Sequence, residues 1–273
     1  MNERKWISTN SFKTFRSREV QNGNFRVLIN KGNFECSLSK KTGSKNLFVV
    51  MSGSRDPEKN KWPFFQHQEW KEKLNGHVLY VADPTLFHAK ELRIGWYVGT
   101  AEYDWLDAMK KLVERVAESL HIDSKNIYPI GETSGGFAAL MLASKLNGAT
   151  AIAINPHTQV FAYYKRFVSD LLESCFDGII ASRVPASLKP RFSATTAYQD
   201  NIFAKAVILQ NQQSQHHYMK HFLPFCEALN LPKDGGIDSM GRIHTILLDG
   251  TETSTTTASM LPVLQQHAEQ LAR

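Results

Sequence analysis

The chain has 273 residues, enough for one large α/β domain whose core needs no disulfide or metal to hold it together. Hydrophobic residues make up 42% and charged residues 21%, ordinary proportions that exclude a disordered chain, and no apolar run approaches the length of a membrane helix. The net charge is +6, but the basic residues are scattered rather than gathered in a stripe, which argues against a nucleic-acid partner.

The N-terminal residues are polar and lack the apolar h-region of a secretory signal, so we expect a cytoplasmic protein. The three cysteines, Cys36, Cys175 and Cys226, are widely spaced and form no C-x-x-C pair. Each lies in an apolar or strand-like segment, which predicts reduced packing residues. The sequence therefore indicates neither a redox centre nor a metal site, and no cofactor.

Short apolar runs alternate with longer segments of helical periodicity, which is typical of α/β proteins. The first two predicted strands, residues 25–30 and 33–39, form an antiparallel hairpin around Lys31-Gly32. Then follow strands at 47–51 and 77–82, a helix at 105–120, a strand at 126–130, a helix at 135–146 and a strand at 150–155. Such units predict parallel strands with right-handed crossovers. Pro129 argues mildly against a central strand, because it removes a ladder hydrogen bond.

Residues 160–200 interrupt this rhythm with clustered aromatic side chains, and we predict that they form a helical lid insertion. The alternation resumes with a strand at 206–210, a helix at 218–229, a strand at 243–248, a threonine-rich loop at 251–257 and a helix at 259–272. We therefore expect a single domain over residues 1–273, with residues 1–45 as an N-terminal β-hairpin extension.

The most informative segment is residues 127–140, a predicted strand that turns directly into an apolar helix. Hydrolases place a nucleophile on such an elbow, in the pattern small-x-nucleophile-x-small. With Gly131 first and Gly135 last, the nucleophile position falls on Thr133. Moving the pattern by one residue would make Ser134 the nucleophile, but Glu132 would then occupy a position that requires a small residue.

In a parallel sheet, ligands bind in the loops beyond the carboxyl ends of the strands. The loop after the strand at 47–51 reads Met-Ser-Gly-Ser-Arg-Asp-Pro from residue 51. In a hydrolase, backbone N–H groups of Gly53 and Ser54 would form one half of an oxyanion hole, and the N–H of Ser134 the other half. A plain strand-to-loop turn is the alternative interpretation.

Seven short motifs occur in order over about residues 47–225. They begin at Ser52 (Ser-Gly-Ser-Arg), Asp83 (Asp-Pro-Thr-Leu), Gly95 (Gly-Trp-Tyr-Val-Gly-Thr), Asp104 (Asp-Trp-Leu), Gly135 (Gly-Gly-Phe-Ala-Ala-Leu), Ala153 (Ala-Ile-Asn-Pro-His-Thr) and Gln210 (Gln-Asn). In this order and spacing the chain resembles an α/β-hydrolase-like family of bacterial proteins associated with capsular and O-antigen polysaccharide biosynthesis and with glycosyltransferases. The resemblance implies an α/β-hydrolase-like three-layer sandwich with a mostly parallel central sheet, an N-terminal antiparallel hairpin and a helical lid insertion.

The resemblance also locates a catalytic triad, and this chain departs from the family at all three positions. Thr133 stands where the family has a serine nucleophile, and Ser214 stands where it has the acid. The base position falls near Thr253, and no histidine occurs between residues 245 and 266. Because nucleophile, base and acid act as a unit, these replacements predict that the triad is degraded.

Histidines elsewhere on the same sheet edge offer an alternative. His157 or His216 would act as the base for Thr133, with Glu132 or Glu252 as the orienting acid, and His217 would also line the pocket. A histidine near a strand end more often bonds a backbone carbonyl than titrates in catalysis. His217 also has metal-ligand spacing with His221, but no third ligand completes a set, so no metal is expected.

Two functions of different class remain open. The first is a non-catalytic pseudo-hydrolase that binds a small molecule, a glycan or an acylated ligand, or a partner such as a glycosyltransferase or another polysaccharide-assembly protein. The second is an active esterase, deacetylase or acyltransferase that uses Thr133 or Ser134 at the elbow.

Overall fold

The computed structural model describes residues 6–9, 20–250 and 254–273, with residues 6–9 and 254–256 described by their backbone alone. Within these ranges ten strands form one sheet in the order β1-β2-β3-β5-β4-β6-β7-β8-β10-β9. The strands are β1 Trp6–Thr9, β2 Gly23–Ile29, β3 Gly32–Ser39, β4 Leu47–Met51, β5 His77–Val81, β6 Ile127–Glu132, β7 Thr150–Ile154, β8 Lys205–Asn211, β9 Gly236–Ile237 and β10 Ile243–Leu248. All pairs from β5 through β4, β6, β7 and β8 to β10 are parallel, as predicted.

The helices are α1 Pro84–His88, α2 Trp105–Ser119, α3 Ser134–Lys145, α4 Lys165–Cys175, α5 Ala194–Asp200, α6 Gln215–His217, α7 Leu223–Leu229 and α8 Ser254–Leu271. A π-helical turn, Tyr218–Phe222, joins α6 to α7. Asp104 caps α2, because its carboxylate accepts hydrogen bonds from the backbone N–H groups of Leu106 and Asp107. No helix in the described part of the chain is long and apolar enough to cross a membrane.

Helices cover both faces of the sheet. Alternate residues of β4 enter two separate cores, with Val49 in one and Phe48 in the other. The first core includes Leu106 of α2 and Phe137 of α3, whereas the second includes Leu264 of α8. Strands buried on both faces read as continuous apolar runs, as β4 does. The result is the three-layer sandwich that the sequence predicts.

The predicted N-terminal hairpin is confirmed as β2 and β3, which pair antiparallel with Ile29 opposite Gly32. Its two-residue turn, Asn30-Lys31, has left-handed backbone angles at both positions, with φ of 47° and 58°. Such turns match the twist of the flanking strands. Gly32 cannot carry a side chain, because a Cβ there would overlap the indole ring of Trp105.

Pro129 lies in the middle of the sheet without disrupting it. Its strand, β6, pairs with β4 along Ile127–Gly131, but the pairing with β7 begins only at Ile130. Pro129 therefore falls where β6 has one hydrogen-bonded neighbour rather than two, which is the position that a proline tolerates.

The sequence misses two short edge strands and misplaces one helix start. Neither β1 nor β9 was predicted, and both have four residues or fewer. The predicted loop at 251–257 is wrong from Ser254 onward, because α8 begins there rather than at Ser259. Serine and threonine disfavour helix interiors but are common at helix starts, so the run misleads a prediction from propensity.

Residues 160–200 are largely helical, as predicted, and lead from the carboxyl end of β7 to the start of β8. Phe161 stacks on Phe192 with 4.7 Å between ring centroids, which holds the two ends of the segment together. Tyr163 packs on His157, just beyond β7, at 4.1 Å. The treatment of this segment as a lid, and of residues 1–45 as an extension of a single domain, stays a prediction.

Candidate functional site

The elbow between β6 and α3 has the tight geometry of a strand-to-helix nucleophile turn. Thr133 occupies its apex with φ 52° and ψ −111°, a strained conformation for a β-branched residue. Two glycines permit the turn, because a Cβ on Gly131 would overlap the backbone of Gly135 and a Cβ on Gly135 would overlap the carbonyl oxygen of Met51. Ser134 is the first residue of α3 and is buried, so the apex belongs to Thr133.

Thr133 is held by its backbone and not by its hydroxyl. Its N–H donates to the carbonyl of Ile154 at 2.9 Å, and its carbonyl accepts from the N–H of His157 at 3.1 Å. The hydroxyl makes no hydrogen bond within the described residues. It faces the loop after β4, since a Cβ placed on Gly53 would lie 3.1 Å from Thr133 Oγ1.

In the loop after β4, one of the two N–H groups predicted for an oxyanion hole, that of Gly53, is already hydrogen-bonded. The N–H of Ser52 donates to the phenol oxygen of Tyr97 at 2.8 Å. The N–H of Gly53 donates to Oε1 of Gln66, and Gln66 Nε2 donates to the carbonyl of Ser54 at 3.2 Å. The predicted oxyanion donor at Gly53 is therefore already hydrogen-bonded to the side-chain amide of Gln66. No feature of the sequence marks Gln66 for this role.

Two adjacent aromatic residues, Trp96 and Tyr97, form hydrogen bonds with the residues around the elbow. Both have left-handed backbone angles, with φ of 50° and 60°, and both are buried. Bulky residues rarely adopt this conformation unless their surroundings impose it. The Tyr97 N–H donates to Asp83 Oδ2 at 3.0 Å, and its hydroxyl donates to the carbonyl of Val81 at 2.7 Å. Trp70 and Trp105 are buried too, so these rings belong to the core.

Asp83 holds this pair through a buried carboxyl group. Its two oxygens accept the N–H groups of Thr85 and Tyr97. Burial raises the pKa of Asp83 to about 6, and the two backbone hydrogen bonds oppose that rise.

Four histidines gather beside the elbow. His157 follows β7, whereas His216, His217 and His221 lie on the segment that runs from α6 into the π-helical turn. The ring of His157 is nearly parallel to the rings of His221 and His217, with 4.8 Å and 5.1 Å between the ring centroids. Tyr163 covers the cluster from the predicted lid. The structure thus brings together the predicted pocket residues His157 and His217 with His216.

Hydrogen bonds fix the tautomers of this cluster. An indole N–H can only donate, so Trp96 Nε1 donates to His157 Nδ1 at 2.9 Å. His157 therefore carries its proton on Nε2 and donates to His217 Nε2 at 3.2 Å. His217 in turn carries its proton on Nδ1 and donates to Ser214 Oγ at 2.9 Å. A chain of donors runs from Trp96 to Ser214.

A hydrogen bond also fixes the tautomer of His221, the fourth histidine of the cluster. Its Nδ1 accepts the N–H of Thr158 at 3.3 Å, which leaves the proton on Nε2. That Nε2, like Nε2 of His216, is buried without a partner in the described part of the chain. Burial and the neighbouring imidazoles lower the pKa of His217 to about 4 and of His221 to about 3, and hold that of His157 well below 6.5.

Of the three positions that match the family triad, Thr133 and Ser214 lie within the described residues. Ser214, at the predicted acid position, has no carboxylate, and its hydroxyl oxygen accepts a hydrogen bond from His217 Nδ1. His216 stacks on Tyr164 at 4.3 Å and forms no hydrogen bond to Thr133. Thr253 and Glu252 lie outside the described residues.

Glu132 is paired with a histidine that the sequence did not indicate. Its Oε2 lies 3.3 Å from Nε2 of His67, whose ring stacks on Trp70 with 4.0 Å between centroids. His67 also has a left-handed φ of 56°. The charge of Glu132 partly opposes the lowered pKa of His217, so the carboxylate faces the cluster as well. Among the described residues, no group of three or more His, Cys, Asp or Glu side chains is arranged to hold a metal ion.

Comparison with known proteins establishes the fold and not a sequence family. No family model matches the chain, and neither does any curated protein. Solved structures do match it over about nine-tenths of its length. The chain has an α/β-hydrolase-like fold.

Three of these hydrolase-fold structures illustrate the likeness. The Glycosylation Associate Protein (Gap123) complex from Streptococcus agalactiae has a TM-score of 0.63 at 14% identity, over 91% of this chain and 46% of that one. The capsule O-acetyltransferase of Neisseria meningitidis serogroup A has 0.62 at 14%, over 89% and 93%. An S-formylglutathione hydrolase from Agrobacterium tumefaciens has 0.62 at 17%, over 91% and 95%. This chain thus spans about half of the first protein.

Proposed function

We propose that this protein is a pseudo-hydrolase, which keeps the fold and pocket of a hydrolase and binds a ligand or a partner protein without cleaving a bond. One observation carries the proposal: the lone pairs of His157, His217 and His221 are each engaged by a fixed donor. A general base needs a free lone pair within reach of the proton that it removes. None of these three imidazoles offers one.

The electrostatics of the cluster support the same function. An imidazole whose conjugate acid has a pKa of about 4, as for His217, is a weak base. A threonine hydroxyl is a poor nucleophile without a strong base, because its own pKa lies far above 7. The Gly53 N–H, which would stabilise an oxyanion, is already bonded to Gln66.

The names of two structural neighbours support a setting for this role. One belongs to a glycosylation-associated complex and one is a capsule O-acetyltransferase. Together with the sequence motifs, they favour a function in bacterial surface polysaccharide metabolism. In that setting the ligand is a small molecule, a glycan or an acylated compound, and the partner is a glycosyltransferase or another polysaccharide-assembly protein. The three free, buried cysteines fit a reducing compartment such as the cytoplasm.

A labelling experiment tests the proposal. The protein is treated with a fluorophosphonate probe, and separately with an aryl acetate, beside Thr133→Ala and Ser134→Ala. We expect the wild type to label and turn over no faster than either variant. Labelling or turnover that one of these substitutions abolishes would overturn the proposal and establish an active esterase, deacetylase or acyltransferase at the elbow.

A further inference from the structure

The loop after β4 holds a carboxamide by two backbone groups. The N–H of Gly53 donates to one end of the Gln66 amide, and the carbonyl of Ser54 accepts from the other end at 3.2 Å. Because a backbone N–H only donates and a carbonyl only accepts, these partners fix which end is oxygen and which is nitrogen. The loop thus offers one donor and one acceptor matched to an amide.

This amide lies where a hydrolase would bind the carbonyl of its substrate. A Cβ placed on Gly53 would lie 3.2 Å from Gln66 Oε1 and 3.1 Å from the Thr133 hydroxyl. The side-chain carbonyl of Gln66 therefore lies where the carbonyl of a ligand at the elbow would lie.

The side chain of Gln66 is not what holds its own segment in place. The backbone N–H of Gln66 donates to Ser52 Oγ at 3.1 Å, and Ser52 Oγ donates to the carbonyl of Phe64 at 3.2 Å. The N–H of Ser52 is bonded to Tyr97. The donor and acceptor at Gly53 and Ser54 would therefore keep their positions if the amide moved away.

We propose that the backbone of Gly53 and Ser54 is an amide-binding site that the Gln66 side chain fills, and that an amide group of the ligand exchanges with Gln66 on entering the pocket. The ligand class is a molecule that carries a carbonyl oxygen beside an N–H. A carboxylate of the same shape fits poorly, because it places a second acceptor against the Ser54 carbonyl. This proposal rests on the pocket being a binding site, as proposed above, and adds the chemistry that it selects.

The experiment empties the site and refills it with a small amide. Thermal unfolding is measured for Gln66→Ala in increasing propionamide, with propionate at equal concentration as the matched ligand that lacks the N–H. We expect propionamide to raise the Tm of Gln66→Ala saturably toward the wild-type value, since a ligand that binds only the folded state stabilises it. Propionate is expected to have no such effect. The wild type should need a higher concentration of propionamide than Gln66→Ala for the same response, because the amide must first displace Gln66.

Gln68→Ala is the matched control variant, because Gln68 is an exposed neighbour whose amide bonds Phe65 and not the loop. A second readout follows the amide resonance of Gly53, which is expected to shift in Gln66→Ala and to return with propionamide. The amide site is disproved if propionamide changes neither the Tm of Gln66→Ala nor this resonance. It is also disproved if propionamide raises the Tm of the wild type, Gln66→Ala and Gln68→Ala equally. Such a result would not affect the outcome of the labelling experiment. Conversely, labelling at Thr133 would overturn the pseudo-hydrolase proposal without abolishing the response to propionamide, so the two proposals can fail separately.

Discussion

The indole N–H of Trp96 donates to Nδ1 of His157 across 2.9 Å, and this one bond sets the protonation of the imidazoles beyond it. With His157 Nδ1 occupied, its proton must lie on Nε2, which is directed at His217. The Ser214 hydroxyl oxygen then accepts a hydrogen bond from His217 rather than donating one to it. A serine next to a histidine resembles a nucleophile and its base, but here the bond runs in the opposite direction.

Trp96→Phe tests this arrangement directly. The variant removes the donor and leaves a buried acceptor on His157 without a partner, which costs about 1–3 kcal/mol in the free energy of unfolding. Urea denaturation measures the loss. In the wild type, the nitrogen chemical shifts of His157 should report the Nε2–H tautomer alone, and a wild-type Nδ1–H tautomer would contradict the hydrogen-bond chain.

Trp62→Phe is the matched control for that variant. Trp62 is half-buried, and its indole nitrogen has no hydrogen-bond partner among the described residues. The substitution removes the same ring atoms without breaking a hydrogen bond. An equal loss of stability in the two variants would mean that packing, and not the bond to His157, accounts for the effect of Trp96→Phe.

The stability of the protein should depend on pH through the histidine cluster. An unfolded histidine binds a proton near pH 6.5. In the folded protein the pKa is about 4 for His217 and about 3 for His221. Between these values the unfolded chain binds more protons, so the free energy of unfolding falls as the pH drops below about 6.5. Urea denaturation from about pH 4.5 to pH 7 checks the slope.

One buried carboxyl group opposes this trend. The pKa of Asp83 is raised to about 6, so the folded protein keeps a proton there that the unfolded chain releases near pH 4. Asp83 alone would make the protein more stable as the pH falls from 6 to 4. Since the pKa values of His157, His217 and His221 are all lowered, these three residues act the other way, and we expect the net slope to follow them. His221→Asn should flatten the slope, whereas His88→Asn, at an exposed position, should leave it unchanged.

The fold was predictable from sequence because its signals are local. The apolar run Leu47–Met51 was predicted at its observed bounds, since a strand buried on both faces needs an unbroken series of such residues. The hairpin was predicted too, but its turn was placed at Lys31-Gly32, one residue beyond the observed turn at Asn30-Lys31. The two-residue strand β9 was not predictable, because so short a segment carries no periodicity.

The candidate site was predictable only in part. Glycines marked the elbow, because close backbone approach excludes other residues, and this placed Thr133 correctly at its apex. The bond from Trp96 to His157 joins residues 61 positions apart, and no pattern along the chain reveals such a pairing. Gln66 was missed for the same reason, since its amide is defined by the loop that it meets and not by its neighbours in sequence.

Thr133→Gly should stabilise the protein. At φ 52° and ψ −111° a threonine is strained by about 1–3 kcal/mol, whereas glycine adopts such angles freely and loses about 0.5–1 kcal/mol in chain entropy. The hydroxyl forms no hydrogen bond within the described ranges, so little is lost with it. We expect the free energy of unfolding to rise by about 1 kcal/mol in urea denaturation. Thr133→Val keeps the strained backbone and should not raise the free energy of unfolding. An increase in Thr133→Val would mean that loss of the hydroxyl, and not relief of backbone strain, stabilises the protein.

Thr133→Ser should not create an esterase. The change supplies the family's nucleophile on an elbow whose backbone already suits it, but the sequence has no histidine between residues 245 and 266 to serve as the base. The lone pairs of His157 and His217 stay engaged, because their partners Trp96 and His157 are untouched. Turnover of an aryl acetate should therefore equal that of Thr133→Ala, which sets the background. Turnover clearly above that background would mean that a base from another part of the chain reaches the elbow, and that the replacement at Thr133 alone keeps the protein inactive.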